Sequence, residues 1–149
     1  MSVVSDYLAS SKSACVGAAL ALLALGAPST AVAQDTELGA ELYARYCASC
    51  HGTRADGYGP ASSALAGLLQ VDMPDLTTLA ERNEGHFPFL GVIHIIDGRL
   101  DVPAHGGTMP LWGQVFAMDT EPQLGLYGSL VEARGRVLSL ALYLQSIQR

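Results

Sequence analysis

Lysine is all but missing from this chain: Lys12 is the single one in 149 residues. Charge of any kind is scarce, at 15% of residues, and its balance is acidic, with 14 Asp and Glu against 8 Lys and Arg and a net charge of −6. A chain so short of cations lacks the basic footprint that nucleic acid requires. Sparse charge beside 50% hydrophobic residues also excludes an intrinsically disordered chain and a coiled coil, which is built from charged helix formers. Strand signals are thin, because alternation is rare and β-branched residues are scattered. No repeat or low-complexity tract interrupts residues 34–149. The length suits one domain.

The hydrophobicity that is present collects at one end. No charged residue lies between Ala14 and Ala33, and Ala14 to Leu25 is apolar or small throughout. Lys12 precedes this run, and Ala31-Val32-Ala33 closes it with the small-x-small pattern of a peptidase site. Residues 1–33 therefore read as a signal peptide cleaved after Ala33, leaving residues 34–149 as the exported domain. An uncleaved membrane anchor is the alternative, weakened by the alanine content and by Gly26, Pro28, Ser29 and Thr30. Cleavage removes Asp6 and Lys12 together, so the net charge stays at −6 and every remaining positive charge is an arginine. Cys15 is then a small apolar residue in a discarded segment, and Cys47 and Cys50 remain in an oxidising compartment.

Four helices are predicted. The first spans about Thr36 to Tyr46, with Asp35 or Thr36 as N-cap and Glu37 in its first turn. Gly39 sits inside it at a cost of up to about 1 kcal/mol, which implies a close neighbour against the backbone. The second spans about Asp75 to Asn83, between Pro74 and Gly85. The third spans Pro88 to Asp97 with Gly98 as its stop. The last spans about Leu130 to Ile147, with Val137, Ala141 and Leu144 as one apolar stripe widened by Leu130, Leu138 and Leu142. Loops are expected at 52–60, 101–113 and 119–128. The long irregular stretch of about 98–128, with at most a helical turn after Trp112, calls for something to hold it down.

Cys47-Ala48-Ser49-Cys50-His51 carries the strongest chemical signal. Two cysteines one helical turn apart, followed at once by histidine, form the attachment pattern for c-type haem. The thiols add across two vinyl groups, and His51 supplies the proximal iron ligand. Its other ring nitrogen then needs an acceptor that fixes the tautomer. A structural zinc site would need a second ligand pair, but His86, His94 and His105 lack finger spacing. A thioredoxin-like pair would follow a strand. A disulfide of so short a span is strained and gains little loop entropy.

For the sixth iron position the candidates are Met73, Met109, Met118, His86, His94 and His105. Met109 stands in the long stretch that needs an anchor, within Gly107-Thr108-Met109-Pro110-Leu111-Trp112. Met118, beside Phe116, reads better as a core gap-filler, and Met73 fits either role. His105 would serve a bis-histidine site from the same loop. His94 reads as partly exposed on a helix.

With these motifs the chain resembles a class I cytochrome c of the bacterial monohaem kind. The resemblance rests on Gly39 with Tyr43, on Cys47-x-x-Cys50-His51-Gly52, on Gly57-Tyr58-Gly59-Pro60-Ala61, and on Pro74-Asp75-Leu76. Gly107-Thr108-Met109-Pro110 with Trp112, and Leu142-Tyr143-Leu144, complete it. It implies an all-α fold of four to five helices round one covalently attached haem c, in which the first and last helices cross. Gly39 then lets the last helix approach near Tyr143. It implies that Cys47 and Cys50 hold the haem, that His51 and Met109 ligate its iron, and that Trp112 and Pro60 help to bind it. Pro60 would do so by accepting a hydrogen bond from His51 Nδ1. The stretch 114–129 is longer than in the smallest members, and the lysine ring of mitochondrial relatives is absent.

The function expected is a periplasmic carrier of single electrons between respiratory donor and acceptor proteins, not an enzyme, touching membrane only through a partner or an uncleaved N-terminus. One alternative is the cytochrome subunit of a dehydrogenase or respiratory complex. Another, from a different class, is a five-coordinate haem enzyme or gas or redox sensor, with Met109 elsewhere and His105 as a distal group.

Overall fold

The computed structural model describes residues 30–69, 73–98 and 109–149, without the side chains of 30–34, 65, 68 and 69. Among the described residues five helices run in the order α1 (Thr30–Tyr46), α2 (Ala48–His51), α3 (Ser62–Leu69), α4 (Phe89–Asp97) and α5 (Trp112–Ser146), with short 3-10 turns at Leu76–Thr78 and Glu81–Asn83. No strand occurs among the described residues. No helix among them is long and apolar enough to cross a membrane. The signal-peptide expectation for 1–33 lies outside the described residues except for its last residues, which open α1. His105 also lies outside them.

The reason for this architecture is visible where α1 meets α5. A Cβ built at Gly39 would overlap the Ser139 carbonyl oxygen and lie 2.7 Å from Tyr143 Cβ. Only glycine allows the two backbones so close, as the sequence implied. Around this point Leu42 and Tyr43 of α1 are buried with Val137, Leu140, Ala141 and Leu144 of α5. Each large apolar side chain so enclosed stabilises the fold by about 1.5–3 kcal/mol. The rings of Tyr43 and Tyr143 pack 5.3 Å apart. One turn on, Tyr46 meets Trp112 and Phe116 at 5.4 and 5.2 Å. The most extensive helix–helix contact is that of α4 with α5, with Val92 and Ile96 buried. These parts belong to one compact unit, Ala31–Arg149.

Several expected elements differ. The predicted helix at 75–83 is two 3-10 turns, because the Asp75 carboxylate takes the Thr77 N–H (2.8 Å) and hydroxyl (2.6 Å). Such side-chain bonds compete with the helical ladder. The stretch up to residue 128, expected to be irregular apart from a helical turn after Trp112, is helical from Trp112 onward. Pro122 and Gly125 made this stretch read as irregular, but the chain departs from helical geometry only at Gly125 (φ 66°, ψ 172°). Packing of Trp112 and Phe116 on Tyr46 overrides weak local propensity there. Of the stripe on the last helix, Leu130 and Leu138 prove exposed. Met118 is no core residue, being 64% exposed. Helix α4 behaves as expected: Pro88 precedes it, and Gly98 at φ 81° closes it with an N–H to the His94 carbonyl at 3.1 Å.

Candidate functional site

The site grows out of the end of α1. The Cys47 N–H donates to the Tyr43 carbonyl at 2.9 Å, and α2 adds one more turn. Within that turn the Cys50 and His51 N–H groups both donate to the Cys47 carbonyl, at 3.1 and 2.9 Å. The two cysteines are therefore one turn apart, both half-buried, and not joined to each other. His51 follows at the end of the turn and is buried. The buried Tyr43 hydroxyl reaches past the motif and donates to the Gly52 carbonyl at 2.7 Å.

The loop after the motif folds back over it. Gly57 N–H donates to the His51 carbonyl and Ala61 N–H to the Ser49 carbonyl, each at 2.9 Å. Gly59 lies so close to the Ser49–Cys50 backbone that a Cβ there would sit 2.7 Å from the Cys50 carbonyl carbon. Pro60 is thus pinned beside the motif, although its own surface is exposed. Leu76 N–H donates to the Ala55 carbonyl at 2.7 Å, which ties the 3-10 segment to the same loop.

In front of His51 opens an apolar cleft. Besides His51 it is lined by Pro74, Leu76 and Leu79, by Val92, Ile95 and Ile96 of α4, by Leu144 of α5, and by Met109. His51 and Met109, far apart in sequence, thus line one apolar space. His51 Nδ1 is enclosed by protein, which leaves Nε2 as the nitrogen for a group in the cleft. An apolar cleft lined by one imidazole and one thioether, with Cys47 and Cys50 on the turn that carries His51 though not among the lining residues, fits a covalently attached haem. Met73, Met118, His86 and His94 are not among its lining residues. Nor is Trp112, whose ring packs on Tyr46 and Phe116 (5.4 and 5.7 Å).

Sequence reasoning did not single out Leu79, Val92, Ile95, Ile96 or Leu144 as cleft residues. The apolar i, i+3, i+4 set of Val92, Ile95 and Ile96 was the available signal.

The electrostatics follow from burial. Burial, reinforced by the Cys50 sulfur, pushes the Cys47 thiol up to about 12. Burial likewise drives the Tyr43 phenol well above its ordinary range, with Cys47, Tyr143 and Asp56 adding to it. Both groups are therefore neutral near pH 7. On the loop, the Arg54 guanidinium holds the Asp56 carboxyl below the usual carboxylate range, at an ion-pair distance of 2.8 Å.

Comparison with known proteins gives one result. The family model described as cytochrome c matches residues 36–123, more than half of the chain, spanning both cysteines, His51 and Met109. No curated protein and no solved structure matches. The helical fold round the cleft agrees with that match, and the chain belongs to the cytochrome c family, all-α proteins that carry covalently attached haem c and transfer electrons to and from redox partners.

Proposed function

We propose that the chain is a periplasmic single-electron carrier whose haem iron is held between His51 and Met109, with Cys47 and Cys50 as thioether anchors. The observation that carries this reading is that His51 and Met109 line the same apolar cleft. The haem, when bound, supplies a one-electron couple between ferric and ferrous iron. His51 offers Nε2, and its enclosed Nδ1 directs a proton to a protein acceptor. The Pro60 carbonyl is that acceptor in this reading, supported by the pinning of Gly59 and Ala61 on the motif. Met109 offers a neutral thioether, which raises the reduction potential. Leu76, Leu79, Val92, Ile96 and Leu144 keep water from the cleft. Trp112 acts through Tyr46 and Phe116, fixing the start of α5 just beyond Met109. With two protein ligands no position is left for a substrate, in keeping with a carrier and not an enzyme. The apolar run before Ala33 supports export.

Acid–acetone extraction and optical spectra test this directly. The haem should stay with the protein, and replacing Cys47 and Cys50 together by serine should release it. In Met109→Ala the weak methionine charge-transfer band of the ferric protein should vanish and exogenous ligands should bind. If the band survives there and disappears in Met73→Ala, the ligand is Met73.

One observation favours a second reading, the subunit of a dehydrogenase or respiratory complex. Just beyond the matched span, Leu126 and Tyr127 stand 67% and 82% exposed, on the side of Gly125 where α5 resumes. Apolar side chains displayed together mark contact surfaces. Elution with a partner on a sizing column, instead of as a free monomer, decides between the two.

A further inference from the structure

The cleft has one wall that is not helical. Pro74, Leu76 and Leu79 form it, on a segment whose 3-10 turns are too short to hold their own shape. Its support comes from the residues that follow α5. The Gln148 side chain accepts from Ala80 N–H at 2.9 Å. Its amide nitrogen donates to the Leu76 carbonyl at 2.8 Å and to the Leu144 carbonyl at 2.6 Å. Both amide hydrogens and one acceptor site are thereby used. Arg149 adds a second set: its N–H donates to the Thr77 carbonyl (3.0 Å), and its guanidinium reaches Thr77 Oγ1 (2.9 Å) and Asp75 Oδ2 (2.7 Å).

We infer that Gln148 is a positioning residue for the haem site, a staple that closes the 74–80 wall against α5 and so controls access of small ligands to the cleft lined by His51 and Met109. One amide joins the backbones of Leu76 and Leu144, whose side chains both line the cleft. It also takes up the N–H of Ala80, next to Leu79. The staple is half-buried, so each bond is worth more than one on an open surface, and its loss leaves backbone groups to be hydrated. Water drawn in by those groups enters through the wall. Arg149 is the weaker partner, because its ion pair is largely exposed.

The inference rests on the His51/Met109 reading, and its test separates the two. The ferric holoprotein is mixed with imidazole, and its binding is followed optically in wild type, Gln148→Ala, Gln148→Glu and Arg136→Ala. The last breaks the ion pairs of Arg136 with Asp119 and Glu132, none of them among the cleft residues, and serves as a control for general destabilisation. Hydrogen exchange of the Ala80 amide is read in the same holoproteins. Gln148→Ala should bind imidazole about tenfold faster, the factor that corresponds to about 1.4 kcal/mol of wall opening. The Ala80 amide should exchange faster by a similar factor. Gln148→Glu keeps the acceptor for Ala80 but loses the amide donor, and should fall between. Arg136→Ala should leave both rates unchanged. Faster exchange without faster imidazole binding overturns the inference, and so does faster binding without faster exchange. Equal effects from Arg136→Ala overturn it too. Wild-type protein that binds imidazole no more slowly than Met109→Ala sinks the ligand reading instead, while the exchange data still report on the staple.

Discussion

The crossing of α1 with α5 and the 74–80 wall of the cleft meet at the last turns of α5, yet different forces hold them. At the crossing there is almost nothing polar. Gly39 sits against the Ser139 carbonyl and Tyr143 Cβ, among Leu42, Val137, Leu140 and Ala141. The contact is steric, and it fails when volume is added. The wall is stitched by side-chain and backbone hydrogen bonds from Gln148 and Arg149. It fails when donors or charges are taken away. The family match ends at residue 123, so both anchoring partners, the second half of α5 and Gln148–Arg149, lie beyond it.

The strongest way to break the comparison is Gly39→Ala. The new methyl has no space, because its neighbour is backbone and cannot rotate aside. Overpacking should cost about 3 kcal/mol, far beyond the helix propensity that alanine gains. Denaturant unfolding of the holoprotein should show this loss equally at pH 7 and pH 4.

Tyr43→Phe tests a place where the two kinds of force combine. The ring stays in the crossing, but the hydroxyl that holds the Gly52 carbonyl is lost. The Gly52 carbonyl keeps the Ala55 N–H at 3.0 Å, so losing one of its two donors should cost about 1 kcal/mol. The spectrum should stay that of an intact site, so a large spectral change would mean that Tyr43 does more than hold the end of the motif.

Asp75→Asn should have the smallest effect and the clearest signature. The Thr77 hydroxyl, then the Thr77 N–H and the Arg149 guanidinium, hold the Asp75 carboxyl below the usual carboxylate range. A folded value below the unfolded one stabilises the fold above the unfolded value, about 3.9. That contribution is lost as pH falls through the folded value. The wall should therefore loosen in acid below about pH 4 in wild type, and Asp75→Asn should flatten this dependence while costing under about 1 kcal/mol at pH 7. Added salt should mimic the substitution in part, because exposed pairs are screened. An acid loss that persists unchanged in Asp75→Asn would place the sensitive group elsewhere.

Much of the site was legible. Cys47, Cys50 and His51 are adjacent in sequence, so one helical turn brings them together without help from the rest of the fold. Gly39 announced a close neighbour because glycine inside a helix is costly without one. Pro88 and Gly98 bracketed α4 because each has a backbone reason to stand there. The wall was not legible: Asp75, Thr77 and Thr78 carry apolar neighbours at helical spacing, and only their side-chain bonds turn the segment into 3-10 turns. Helix α3, eight residues long, is too short for periodicity to declare itself.

The sequence by itself determined the chemistry: two thiols and an imidazole on one turn, an apolar set on α4, and an acidic chain almost without lysine. These are local facts, settled by spacing and composition. The tertiary structure decided which methionine shares a cleft with His51, which face of α5 is buried, and what closes the cleft. Those depend on contacts between residues far apart in the chain. Met109, the methionine that the sequence put forward, lines the cleft, whereas Met118, read there as a core residue, lies in solvent. Gln148 is an ordinary polar residue until α5 carries it to Leu76 and Ala80, where its amide meets two backbone groups from far along the chain that no local pattern could have brought to it.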